Sequence, residues 1–167
     1  LNADGMINPD IVPETGWSEE LSLKYFNDHG AFAKLTFFTM NIQNTVLTRR
    51  IMDDVFEKLN GGSSIHRGME FEYKWISASE KLSLDGAYTY SHFRFDEFVE
   101  GGVDHSGNQL PGTPRHHVYT RFNLSPWRKW DFHVEYHLIT SVYLNDANTA
   151  RADGYQLINA GMAYEFI

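Results

Sequence analysis

Met69-Glu70-Phe71-Glu72-Tyr73-Lys74-Trp75 alternates without a break: every odd residue is apolar and every even one is charged. A period of two assigns the two sets to opposite faces of a β-strand. Burying Glu70, Glu72 and Lys74 in an ordinary sheet core would be costly. The opposite face carries four large apolar side chains and needs an apolar surround. A wall with water on one side and hydrocarbon on the other satisfies both faces, and strands of this kind, about ten residues long, build transmembrane β-barrels.

The pattern repeats outward from this stretch. Upstream, from Trp17, Leu21, Leu23 and Tyr25 alternate with Glu20, Ser22 and Lys24, and a second strand over about Ala31 to Leu47 sets Ala33, Leu35 and Phe37 opposite Lys34, Thr36 and Phe38. Downstream, Leu82, Leu84, Gly86, Tyr88 and Tyr90 face away from Ser83, Asp85, Ala87, Thr89 and Ser91. A fifth strand opposes Val118, Thr120, Phe122 and Leu124 to His117, Tyr119, Arg121 and Asn123. A sixth opposes Phe132, Val134, Tyr136 and Leu138 to His133, Glu135 and His137, and a seventh places Ile158, Ala160, Met162, Tyr164 and Phe166 on one face.

Connectors between these strands are alternately short and long. Asn27-Asp28-His29-Gly30, Ser77 to Glu80 and Ser125-Pro126-Trp127-Arg128 are tight turns, whereas Thr48 to Ser63, Asp96 to Pro114 and Ser141 to Gly154 are long. In the first long connector, Asp53-Asp54 ahead of Val55, Phe56 and Leu59 predicts a capped short surface helix. All five prolines are expected outside strand interiors, as ladder bonding requires. Trp75, Trp127, Trp130 and Tyr25 fall beside the short turns, the place of an interfacial aromatic girdle. The expectation is an all-β, antiparallel up-and-down transmembrane barrel segment of about seven strands, with short periplasmic turns and long extracellular loops.

Composition agrees. The 167 residues are 42% hydrophobic and 15% aromatic, a density of rings that a chain of negative mean hydropathy would otherwise have to bury in a large core. No stretch approaches the ~18 apolar residues of a membrane helix, so insertion must be by strands. With no cysteine, disulfides and CxxC zinc or redox sites are excluded. A net charge of −8 without a basic cluster argues against nucleic acid. A soluble lipocalin-like ligand-binding barrel also alternates; it would put the charged face in water and the rings inside. Ring density, ring clustering at turn ends and connector asymmetry favour the membrane.

Five segments, in order, resemble the C-terminal half of the 22-stranded barrels of TonB-dependent outer-membrane receptors. Asn8-Pro9-Asp10-Ile11-Val12-Pro13-Glu14-Thr15, with Glu20-Leu21 and Leu23-Lys24-Tyr25, is similar to the family's Asn-Pro-x-Leu-x-Pro-Glu-Thr segment and following strand. Phe37-Phe38 through Ile42 and Val46-Leu47 resembles the next strand, and His66-Arg67-Gly68-Met69-Glu70-Phe71-Glu72-Tyr73 the Arg-Gly-x-Glu strand start. Asn108-Gln109-Leu110-Pro111-Gly112-Thr113-Pro114-Arg115-His116 resembles a Leu-Pro-Gly-x-Pro-x-His loop end. Asp146-Ala147-Asn148-Thr149 with Gly154-Tyr155-Gln156-Leu157-Ile158-Asn159 resembles a late loop and strand.

The resemblance implies a partial receptor barrel over residues 1–167, without the plug, the TonB box or the barrel-closing strands. It implies a bacterial outer-membrane location, lipid, the TonB complex and a plug domain as partners, and active uptake of a scarce ligand. Ferric siderophores and other iron complexes come first among the ligands; haem, free metal and cobalamin stay open. Left alone, such a segment would self-associate through its open strand edges, since lipid cannot satisfy them.

Within that frame Glu70, Glu72, Lys74, Arg121, His133, Glu135 and His137 are expected to face the lumen and plug. Arg49, Arg50, Arg94 and His105 are outer-loop candidates for pairing with the carboxylates of a ligand. Gly68 and Pro111 to Pro114 are expected at loop-to-strand junctions. His133, Glu135 and His137 share a face, but steps of about 6–7 Å are too long for one zinc with bonds of about 2.0–2.1 Å; no metal, cofactor or catalytic residue is assigned. No GxGxxG, P-loop, HExxH or nucleophile–base arrangement occurs, which sets enzymes aside; a passive porin-like barrel segment is the competitor from another class.

Overall fold

The computed structural model describes residues 9–52 and 55–166. Among the described residues there is no helix. The strands are β1 (Thr15–Phe26), β2 (Phe32–Gln43), β3 (Val46–Met52), β4 (Val55–Asn60), β5 (Ser63–Ile76), β6 (Leu82–Glu97), β7 (Val99–Glu100), β8 (Val103–Asp104), β9 (His116–Trp127), β10 (Trp130–Ile139), β11 (Val142–Tyr143), β12 (Arg151–Ala152) and β13 (Tyr155–Tyr164). Seven of them form one sheet in the order β1-β2-β5-β6-β9-β10-β13, with every pairing antiparallel. The other six pair as hairpins β3–β4, β7–β8 and β11–β12, one inside each long connector.

Continuous register sorts the side chains across the whole sheet. Leu23, Leu35, Phe71, Tyr88, Val118 and Leu138 lie in one row, and Leu84, Phe122 and Val134 in another. These rows make one apolar face; the intervening residues make a polar one. Among the described residues nothing covers either face. Among the described residues the apolar side chains withdrawn from solvent are Phe95 and Phe98, at 1% and 2% exposure; Phe95 lies at the long-connector end of β6 and Phe98 in the connector that follows it. Accessible area is 11325 Å², against about 8,500 Å² for a compact monomer of this mass. Ile158 and Met162 are each 68% exposed, and each would gain about 1.5–3 kcal/mol by burial in an apolar phase. The sheet is a wall whose core must come from its surroundings.

Rows climb across that wall. Tyr25, one residue from the short-turn end of β1, is in register through Ala33, Tyr73, Gly86, Thr120 and Tyr136 with Ile158, six residues from the same end of β13. A stagger of about one residue per strand accompanies the strand tilt needed for barrel closure.

Short turns fall at one end. The Asn27 side chain accepts from the backbone N–H groups of His29 and Ala31, both at 3.0 Å, with Gly30 at φ 83. Ser77 and Leu82 close the second turn at 2.9 Å. In the third, β9 runs to Trp127, so the turn is Arg128-Lys129, two residues later than expected, and Pro126 sits inside β9. The strand tolerates it because the register slips between Trp130 and Phe132, and a bulge leaves a residue out of the ladder. Trp130 stacks on Phe132 at 5.9 Å and meets Tyr164 at 4.8 Å, which continues the ring cluster of this end.

At the other end the helix expected after Asp53-Asp54 does not form. Asp53 and Asp54 lie outside the described residues, but Val55–Asn60 is strand β4, paired with β3. Val46 and Leu47 offer a ladder to Asn60 and Leu59, and Met52 to Val55; register with a partner outweighs a local cap. A waist at Thr45 and Gly61-Gly62 (Thr45 N–H to Gly62 C=O 3.2 Å; Gly61 N–H to Thr45 C=O 2.7 Å) separates this hairpin from β2 and β5. Gly68 is no junction either: it lies within β5, under the Phe38 ring, where a Cβ would collide with that ring.

Candidate functional site

The polar face carries the groups expected to point into a lumen. In one row Lys74, Asp85, Arg121, Glu135 and Asn159 are cross-strand partners in sequence, so charge alternates in sign from β5 to β10. Arg121 and Glu135 approach to 3.6 Å, and the Arg121 Nε donates to Asn123 Oδ1 at 2.9 Å. One row away, Lys34 and Glu72 pair at 3.5 Å. Glu70 is in register with Thr36 and Thr89 on the same face. Partly exposed pairs of this kind contribute about 0–1 kcal/mol each, so stability does not explain the row. Its chemical capacity is to hold a polar body of complementary charge.

His133, Glu135 and His137 share the face and go separate ways. The His133 ring lies across its cross-strand partner Gly161, with Nε2 2.7 Å from where a Cβ would be. Glu135 pairs with Arg121, and the His137 ring meets Tyr119 at 4.8 Å. Among the described residues no three His, Cys, Asp or Glu groups are placed to share a metal ion.

Towards the long-connector end the polar face turns aromatic. Phe93 stacks on His66 at 4.5 Å and meets Phe38 edge-on at 6.1 Å, while His66 Nε2 bonds Ser64 Oγ at 3.0 Å. The sequence marks this cluster weakly: the same-parity neighbours of Phe38 are Thr36 and Met40, and those of Phe93 are Ser91 and Phe95. Beyond it, Phe95, Phe98 and His105 form a small core under β7 and β8. His105 is 9% exposed, with its ring 5.5 Å from Phe98, which leaves it little surface for a ligand. Arg94 shares parity with Tyr88 and Tyr90, on the apolar-face side of β6. Arg49 and Arg50 lie in β3, and their side chains are outside those described.

Two of the motif segments interlock. The Asn148 side chain donates to Gln109 C=O and accepts from Gln109 N–H, both at 2.8 Å, imitating a strand partner. Asn108 Nδ2 donates to Asp146 C=O at 2.8 Å, and Gly112 N–H to Tyr143 C=O at 2.9 Å. Thr113 and Gln109 brace the segment ahead of β9, so Pro111 to Pro114 do shape a loop-to-strand junction. Burial, then the charge of Glu100, pushes the Asp146 carboxyl above the usual carboxylate range, with His105 pulling the other way. Asp104 is held below that range by hydrogen bonds from the Ser106 hydroxyl and backbone N–H.

The family model described as "TonB dependent receptor-like, beta-barrel" matches residues 2–167. Solved structures of similar fold include the siderophore receptor PiuA from Acinetobacter baumannii, with TM-score 0.76 and 21% identity over 95% of this chain and 24% of that one. The ferric citrate transporter FecA in its unliganded form gives 0.72 and 23% over 92% and 24%. The ferric yersiniabactin uptake receptor FyuA from Yersinia pestis gives 0.71 and 19% over 90% and 22%. These are receptors and transporters, not enzymes, and the chain spans between 22% and 24% of their lengths.

Proposed function

The chain belongs to the TonB-dependent receptor β-barrel family, and on that premise we propose that it forms part of the wall of an outer-membrane receptor for TonB-energised uptake of a ferric siderophore or another iron complex. The observation that carries the reading is the register-continuous division of an uncovered sheet into an apolar and a charged face. The apolar face meets lipid and the charged face meets the plug. The short turns lie on the periplasmic side and the interlocked connectors outside the cell, where the ligand is captured. A soluble lipocalin-like barrel would need its rings inside, whereas Trp17, Tyr25, Phe37 and Trp75 stand exposed among the described residues.

The test is growth of cells with and without the receptor on ferric citrate, a ferric catecholate or a ferric hydroxamate as sole iron source. Growth on at least one complex is expected to require both the receptor and TonB. Equal growth on all three would overturn the iron-complex reading, and receptor dependence without TonB dependence would favour a passive pore.

A further inference from the structure

The polar face changes character along the strands. Among the described residues of the sheet, the lysines and arginines of that face are Lys24, Lys34, Lys74 and Arg121, all in the two charged rows towards the short turns. Lys34 and Arg121 are already paired there, with Glu72 and Glu135. The three rows outward of these begin at Ser22, Glu20 and Ser18 of β1 and reach Thr89, Ser91 and Phe93 of β6. They hold no lysine or arginine, and their fixed charges are the carboxylates of Glu20 and Glu70. Neither carboxylate pairs with a cation among the described residues. Arginines of the outer end lie elsewhere: Arg67 and Arg94 have the parity of the apolar face, and Arg115 and Arg151 line a cleft with Arg94.

In place of cations these rows carry rings. Phe38 lies over Gly68, Phe93 stacks on His66 at 4.5 Å, and the two phenyl rings meet edge-on at 6.1 Å. Phe38, His66 and Phe93 are half-buried, and Met40 in the same rows is 38% exposed. A depression of about 200 Å³ opens against Phe38 and Met40, with Glu20 and Glu70 on its border. Apolar surface on the wet side of a wall is stabilised by a partner that removes it from water. Another ring, offset or edge-on, does this with an added electrostatic gain. Glu20 is the cross-strand partner of Phe38, and Glu70 lies one row away, about 7 Å along the strand. Both carboxylates are therefore within the roughly 8 Å over which physiological salt leaves a charge felt.

We propose that this stretch of wall selects, among iron complexes, for one that carries an aryl ring and no net negative charge. The ring seats on Phe38 and Phe93, and Glu20 and Glu70 turn polyanions away. Ferric citrate or a ferric tris-catecholate, both anionic, would meet two carboxylates here and no guanidinium. The inference deepens the proposed uptake of an iron complex and rests on it.

The test measures uptake of radioactive iron by cells carrying the full-length receptor, per receptor at the surface, from four complexes held in excess free chelator. Ferric tris-benzohydroxamate is neutral with rings, ferric tris-acetohydroxamate neutral without them, ferric tris-catecholate anionic with rings and ferric citrate anionic without. The benzohydroxamate is expected to be favoured over the acetohydroxamate by about tenfold, the order of an aromatic contact, and over both anions by more. Phe38→Leu with Phe93→Leu should abolish that preference and leave acetohydroxamate uptake unchanged. Glu20→Lys with Glu70→Lys, which alters neither ring, should raise uptake of the anions on the order of tenfold. Equal uptake of the two hydroxamates overturns the proposal, as does an anion taken up best by the unaltered receptor. An equal loss on all four complexes in the leucine variant also overturns it and assigns the rings to holding the plug. Uptake of all four that does not depend on the receptor sinks the iron-complex reading itself, whereas receptor-dependent uptake without the preference sinks this inference alone.

Discussion

At the residue scale, the sheet handles polar groups on its apolar face by pairing them across strands. Tyr73, Gly86 and Thr120 are successive partners in one row. The Tyr73 ring lies over Gly86, its oxygen 2.7 Å from where a Cβ would sit, and its hydroxyl meets the Thr120 hydroxyl at 2.8 Å. Glycine is required because any side chain would evict the ring that covers it, the arrangement known from sheets in which an aromatic ring rescues a glycine. In lipid, the alternative to this bond is two hydroxyls without partners. Tyr73→Phe is therefore expected to cost about 0.6 kcal/mol, with a ceiling near 1.7 kcal/mol, and Gly86→Val about 1–3 kcal/mol by displacing the ring. Urea unfolding of the reconstituted receptor measures both. A cycle that combines Tyr73→Phe with Thr120→Val and shows no coupling would disprove the bond.

At the element scale, the second and third long connectors dock on each other, with Asn148 taking the place of a strand partner for Gln109. Asn148→Ala removes both bonds and is expected to raise hydrogen exchange at Gln109 and Leu110 by about fivefold, the order of one lost bond's net free energy; unchanged exchange would show that the backbone alone holds the connectors together. Docking is also pH-dependent in sign. The Asp146 carboxyl sits above its usual range because burial and Glu100 disfavour its charge. Its contribution is thus fully present below the ordinary carboxylate range and is lost as pH rises through the raised value. Exchange at Gln109, corrected for its intrinsic rate, should show the connectors looser at neutral pH than in mild acid, and Asp146→Asn should abolish the difference. The seven long strands were legible in the sequence because a period of two over ten residues leaves little choice of face, and Met69 to Trp75 alone sorts one strand's side chains completely. The connectors were less so. Asp53 to Leu59 carried a helix cap with no sign of the ladder that β3 would offer, and Asn148 seeks out Gln109, 39 residues away. The lumen candidates Glu72, Lys74, Arg121 and Glu135 could be grouped by parity; the His66–Phe93 stack, a contact between strands, could not.

At the scale of the whole molecule, β1 and β13 are the sheet's edges, and the described residues leave both faces open. Expressed by itself, the 167-residue chain is expected to be insoluble without detergent and to associate through those edges in detergent. A monodisperse, detergent-free monomer in analytical ultracentrifugation would contradict the apolar face being lipid-facing. Inside a complete wall the staggered rows take on another role. The charged row starts at Lys74, two residues from the short-turn end of β5, and reaches Glu135, five residues from the same end of β10. It is a length of screw thread cut in alternating charge. A rigid body that keeps its own charges matched to this thread gains height only by turning, so rotation and axial travel inside such a wall are a single motion.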